Sequence, residues 1–282
     1  MPEEGELDVT MMKNNNRYSM KIIKILLLPV LAFYVPASAY LYVMQDSIVF
    51  YPTPPVEKDA DRFVLEHQGQ QLEVWTHNKE QSTAVIYFGG NAESIERNLD
   101  YFIKEMPELA LYLPNYRGFG RSSGKPSQQA LFADALEVYR YVKARHEHVF
   151  VIGRSLGSGV AIMVAAKQPV DALVLVTPYN SILQLAKQNY PLMPHALLLR
   201  HPFNSMPYAP RIISPTQVIK SETDSIVPHH NTDILLEAFK IDVSLKTIMN
   251  TDHITKEVSD EYFQTVGSWL QQQQTLVKSA SE

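Results

Sequence analysis

The sequence contains no cysteine. That removes a disulfide framework, a thiolate zinc site, a cysteine nucleophile and an iron–sulfur cluster together. It leaves the compartment open, because a cysteine-free chain suits oxidising and reducing surroundings alike. A cationic excess is missing too: 25 Lys and Arg stand against 30 Asp and Glu, a formal charge of −5. The electrostatic footprint of a general nucleic-acid binder is therefore absent. No internal repeat is found. An apolar content of 45% over 282 residues is ample for a packed core, which excludes disordered and fibrous classes and fits one or two domains.

One stretch lacks charge altogether. From Ile25 to Met44 the chain reads ILLLPVLAFYVPASAYLYVM, and twenty residues at about 1.5 Å each span roughly the 30 Å of a bilayer's hydrocarbon. Residues 1–24 form a polar leader, acidic at first and basic at Lys13, Arg17, Lys21 and Lys24. Asp46, Glu57, Asp59 and Asp61 follow the span. The basic flank predicts a single-pass anchor at 25–44 with the N-terminus cytoplasmic and everything downstream exported. Pro29 and Pro36 weaken such a helix, but membrane helices tolerate proline. Ala37-Ser38-Ala39 offers the rival reading of a cleaved signal peptide. Against it stand the long leader and the apolar YLYVM beyond the cut.

Residues 45–60, with a short strand-like SIVFYP and the proline-rich YPTPPVEKD, read as a linker to a domain over 61–282. RFVLEH (62–67) and LEVWTH (72–77) suggest an opening hairpin. Strand and helix then alternate. Strands are expected at 83–88, 110–113, 149–152, 172–176, 216–220 and 244–249. Helices are expected along Ile95 to Ile103, Leu131 to Val142, Leu156 to Lys167, Ile234 to Lys240 and Val258 to Leu270. Short apolar strands separated by helices predict an α/β fold, a mostly parallel sheet covered on both faces. The proline-rich stretch 178–212 breaks the rhythm and reads as a small cap, apolar at Leu192, Met193, Leu197, Leu198 and Leu199. The run QQQQ at 271–274 reads as a polar helix end or tail.

The strand at 149–152 runs into Gly153-Arg154-Ser155-Leu156-Gly157 and then a helix. A turn this sharp strains the central residue, needs small residues on either side, and stands Ser155 Oγ at a helix N-terminus where unpaired N–H groups can stabilise an oxyanion. If Ser155 is a nucleophile, an acid and then a histidine should follow, each after a later strand. Asp224, with Glu222 as the nearby alternative, follows the strand at 216–220; His253 follows the strand at 244–249. His229 and His230 lie in an exposed-looking turn without a third metal ligand. Gly89-Gly90-Asn91, after the strand at 83–88, supplies a second oxyanion-hole N–H, so Asn91 and Leu156 are the candidate donors. The loop Asn115 to Gly124 tempts a dinucleotide reading, but its G-x-G-x-x-x-G spacing is one residue too long.

The ensemble FGGNAES, NYRGFGRSSGKPS, GRSLGSG, SETDSIVP and TDH resembles the membrane-anchored abhydrolase-domain serine hydrolases of the α/β-hydrolase superfamily, near the prolyl-oligopeptidase-like group, over about residues 60 to 272. Two positions depart from that family's usual pattern: Gly89 stands where His is common, and Asn115 where Asp is common. The resemblance implies an eight-stranded sheet, a Ser155–His253–Asp224 triad, no cofactor, and an ester, thioester or lipid-type acyl substrate. A serine peptidase and a catalytically silent, membrane-tethered binding protein are the competing readings.

Overall fold

The computed structural model describes residues 4–253 and 259–281. Val258, expected at the start of the last helix, lies outside the described residues, and so does the side chain of Leu197 in the apolar run. One helix, α1 (Glu4–Val49), runs through leader and apolar stretch together, with Pro29 and Pro36 inside it. By length and composition its segment Leu28–Val49 can cross a membrane. Its large side chains Leu28, Phe33, Val35 and Val43 face outward.

Eight strands follow: β1 (Arg62–His67), β2 (Gln70–His77), β3 (Thr83–Phe88), β4 (Ala110–Pro114), β5 (His148–Arg154), β6 (Ala172–Val176), β7 (Thr216–Ser221) and β8 (Val243–Ile248). They form one sheet in the order β1-β2-β4-β3-β5-β6-β7-β8. β2 pairs antiparallel with β1 and β4, and the other pairs are parallel. Alternate residues serve opposite faces. In β3, Ala84, Ile86 and Phe88 join one core, whereas Val85 and Tyr87 join the other. The first core is closed by α3 (Gln128–Lys143) and α4 (Leu156–Lys167). The second is closed by α2 (Leu99–Glu105) and by the last helix, α8 (Asp260–Ser281). Between β6 and β7 the chain makes α5 (Ile182–Asn189) and the short α6 (His195–Leu198); α7 (His229–Ala238) links β7 to β8.

Two expectations give way. SIVFYP is not strand-like: it is helical as far as Val49, because the apolar helix continues into it without a breaker before Pro52. Residues 50–61 run along the domain. Gly120 N–H donates to the Thr53 carbonyl, Lys58 pairs with Asp100 and Arg121 with Glu57, so the segment is strapped to the domain. The glutamine run lies within α8, where the exposed Gln271 donates to the Glu105 carbonyl and the buried Gln274 to that of Glu108; a buried amide needs such a partner.

Candidate active site

The site is built at the C-terminal ends of the parallel strands, where α/β sheets open their crevice. β5 and α4 meet at Ser155, whose φ of 47° and ψ of −117° are strained for a residue with a side chain. The turn is fixed from both sides: Ser155 N–H donates to the Val176 carbonyl, and Ser158 N–H to that of Ser155. A side chain at Gly157 would put its Cβ 2.1 Å from the Phe88 carbonyl oxygen, so α4 can approach β3 only with glycine there.

His253 bridges two groups. Its Nε2 lies 2.9 Å from Ser155 Oγ and its Nδ1 lies 2.8 Å from Asp224 Oδ2. The side chains of His253 and Asp224 are only 8% and 2% exposed. The other Asp224 oxygen accepts the Ile226 and Val227 amides at 3.0 and 2.7 Å, so the carboxylate is aimed by its own turn. Glu222 is turned elsewhere: its Oε2 accepts the Asn250 amide. The structure thus brings Ser155, Asp224 and His253 together and leaves Glu222 out. The His229–His230 pair also points elsewhere, His229 Nε2 lying 3.1 Å from the Ser221 carbonyl and His230 contacting Gln188.

Beneath these groups lies an ion pair that sequence reasoning missed. Arg154 Nη1 lies 2.9 Å from Glu93 Oε2, both side chains buried, and Arg154 Nη2 donates to the His253 carbonyl at 3.1 Å. Glu93 also accepts from Tyr87 Oη, Asn98 Nδ2 and the Gly90 amide. Burial first, and Glu93 second, hold the Tyr87 phenol well above its usual pKa, so it remains a donor. Tyr116, raised chiefly by burial, donates to the Gly89 carbonyl at 2.8 Å, and Tyr179, raised by burial, donates to the Leu156 carbonyl at 3.2 Å. The Asn115–Gly124 loop therefore braces the loop carrying Asn91. A Cβ at Gly89 would lie 2.4 Å from Ile95 Cγ2, so a larger residue there would have to displace Ile95.

Asn91, Ser155 and Leu156 line one cavity of about 430 Å³, within the size range of small-molecule sites. Its remaining wall is mostly apolar and comes from the end of α1, from α5, α6 and the loop between them, and from Tyr51, Tyr179, Leu199, Ile226 and Val227. The Asn91 side chain donates to the Val49 carbonyl and accepts the Tyr51 amide, both at 2.9 Å, fastening the end of α1 to the loop. No cluster of three or more His, Asp or Glu that could hold a metal is found among the described residues.

The fold is the α/β-hydrolase fold, and by class the protein is a serine hydrolase of esterase type. The family model for the alpha/beta hydrolase fold matches residues 83–200. An uncharacterised protein of Mycobacterium tuberculosis is 28% identical over 216 residues, which cover 71% of this chain and 76% of that one. The lysophosphatidylserine lipase ABHD12 of Rattus norvegicus is 29% identical over 175 residues; the match covers 52% of this chain and less than half, 42%, of the lipase. Among solved structures, an esterase of Pyrococcus furiosus superposes with a TM-score of 0.63 at 18% identity, covering 80% of this chain and 98% of its own. That likeness carries the fold alone.

Proposed function

We propose that the chain is a membrane-anchored hydrolase of carboxylic esters or thioesters with a lipid-type acyl group, and that Ser155, His253 and Asp224 are its catalytic residues. The observation that carries the reading is His253, held between the Ser155 hydroxyl and the buried Asp224 carboxylate, with Ser155 in the wall of an apolar cavity. His253 Nε2 takes the Ser155 proton as Oγ attacks the acyl carbon. Asp224 keeps Nδ1 protonated and offsets the charge of the imidazolium. The Leu156 amide, first in α4 and so without a partner in its own helix, and the Asn91 amide receive the developing oxyanion. His253 then protonates the leaving group, and water, deprotonated by the same nitrogen, frees the acyl group from Ser155.

The lipid-type substrate is supported by the apolar wall and by the rat relative, whose name states a lysophosphatidylserine lipase. In this reading residues 1–24 are a cytoplasmic leader, 25–44 span the bilayer, 45–60 join span to domain, and 61–282, with an insertion at 178–212, form the hydrolase domain on the extracytoplasmic side. The basic residues Lys13 to Lys24 set that orientation. Ser155→Ala should abolish hydrolysis of a short activated ester while leaving thermal unfolding unchanged within a few degrees, because the hydroxyl serves the reaction more than the packing. Hydrolysis by the variant at the rate of the unaltered protein would remove Ser155 from its role.

A further inference from the structure

The cavity at Ser155 is not closed by the hydrolase domain alone. Leu41, Gln45, Ile48 and Val49 of α1 form one side of it, and Tyr190, Met193 and Leu198 of the segment around α6 form another. The two walls are fastened together. Gln45, itself buried, donates to the Leu198 carbonyl and accepts the Arg200 amide, and Asp46 pairs with Arg200 and His201. Further down the helix, Tyr34 Oη donates to the Leu192 carbonyl at 2.9 Å.

That last contact fixes a level. Tyr34 lies inside the charge-free span, and Asp46 is the first charge on α1 after Lys24. Twelve helical steps separate the two, roughly 18 Å along the axis. Residues 190–199, lying alongside, contain no Asp, Glu, Lys or Arg. Leu192 is nonetheless 82% exposed and Tyr190 is half exposed. A large apolar side chain displayed beside the span of an anchor helix suits hydrocarbon and is costly in water. The ion pair of Asp46 and Arg200, with His201 beside it, sits at the end where the headgroups would begin.

Resting on the reading of α1 as a membrane span and of Ser155 as the nucleophile, we propose that the loop around Leu192 is sunk in the same leaflet as α1. The Ser155 cavity then opens sideways between α1 and α6, so an acyl chain enters from the membrane without crossing water. The occupant of this apolar surface is the bilayer, and the anchor is a wall of the substrate site as well as a tether.

The absence of cysteine makes depth directly measurable. Leu192→Cys, Phe33→Cys and Ile213→Cys would each carry a nitroxide in the full chain, reconstituted in phosphatidylcholine–phosphatidylglycerol vesicles. Ile213 is 89% exposed and precedes β7, at the N-terminal end of the parallel strands and so at the opposite end from Ser155, which follows β5. The label at 192 should behave like that at 33, relaxed by oxygen and shielded from a nickel chelate, while the label at 213 shows the reverse. A label at 192 that matches 213 overturns the proposal; a label at 33 that does so overturns the anchor itself.

A second arm reads turnover. Leu192→Asp should lower hydrolysis of a long-chain monoacyl phospholipid carried in the vesicles by at least about tenfold, since a charge is expelled from hydrocarbon. Hydrolysis of a short water-soluble ester should stay near that of the unaltered protein. Equal loss on both substrates, or loss on neither, contradicts membrane loading. If the unaltered protein cleaves neither ester, the hydrolase reading falls, and the nitroxide depths still decide where the loop lies.

Discussion

The side chains of Asp224 and His253 are nearly inaccessible, and their polar atoms are engaged with each other, with Ser155 and with the Ile226 and Val227 amides, while Arg154 holds the His253 carbonyl. Across the cavity, α5 buries none of its residues, and the wall is joined to α1 through a few polar clamps at Tyr34, Gln45 and Asp46. One side is over-determined, as preorganised chemistry requires. The other is packed only by partly buried side chains such as Ile182 and Leu185, which suits a wall that yields to the acyl chain of the proposed substrate. Substitutions on the first side should therefore cost rate or fold, whereas the second side should respond chiefly in substrate selection.

The largest expected effect is on rate. Asp224→Asn should lower kcat by roughly 10⁴-fold, through loss of imidazole orientation and charge compensation, with little change in unfolding. Glu222→Gln, two residues away, should change kcat little, because its carboxylate serves the Asn250 amide and not His253. Steady-state kinetics on the two purified variants checks the ranking, and the reverse order would move the acid to Glu222.

Next comes the ion pair under the site. Arg154→Met leaves the Glu93 carboxylate buried without its cation, and breaking a buried pair from one side costs about 3–5 kcal/mol. Chemical denaturation should show that loss together with reduced activity, since Arg154 also holds the His253 carbonyl. A variant as stable as the parent would mean that Tyr87, Asn98 and the Gly90 amide suffice for Glu93.

A smaller effect is expected at Asn115, away from the cavity. Its Nδ2 donates to Glu73 Oε2 at 2.8 Å, and Glu73 is already buried beside Arg62 and Arg121. This explains why the chain departs from the Asp common at that position in the family it resembles. Asn115→Asp would trade a donor for a second carboxylate, costing about 1–3 kcal/mol. The loss should appear in denaturation at neutral pH and shrink in acid, where the new pair shares a proton.

The same contrast governs what could be read from the sequence. β6 at 172–176 and α4 at 156–167 fall where apolar periodicity puts them, because a sheet covered on both faces leaves uninterrupted apolar runs. Ser155 and His253 were legible because each follows a strand and the elbow imposes its own glycines. The choice of Asp224 over Glu222 depended on the turn that delivers two amides to one oxygen, which residue order suggests but does not fix. Glu93 and Arg154, sixty-one positions apart, had no local pattern to announce them. The place of α1 in the cavity wall was hidden for a related reason: periodicity describes a helix's own faces, and α1 meets residues more than 150 positions downstream.

Central to all of this is the nucleophile. The most direct measurement is to react the folded full chain with an alkyl fluorophosphonate, digest it and locate the adduct by mass spectrometry. A single stoichiometric adduct on Ser155, greatly slowed in Asp224→Asn, is the expected result. An adduct on another residue, or a folded protein that takes up no label, would contradict the account.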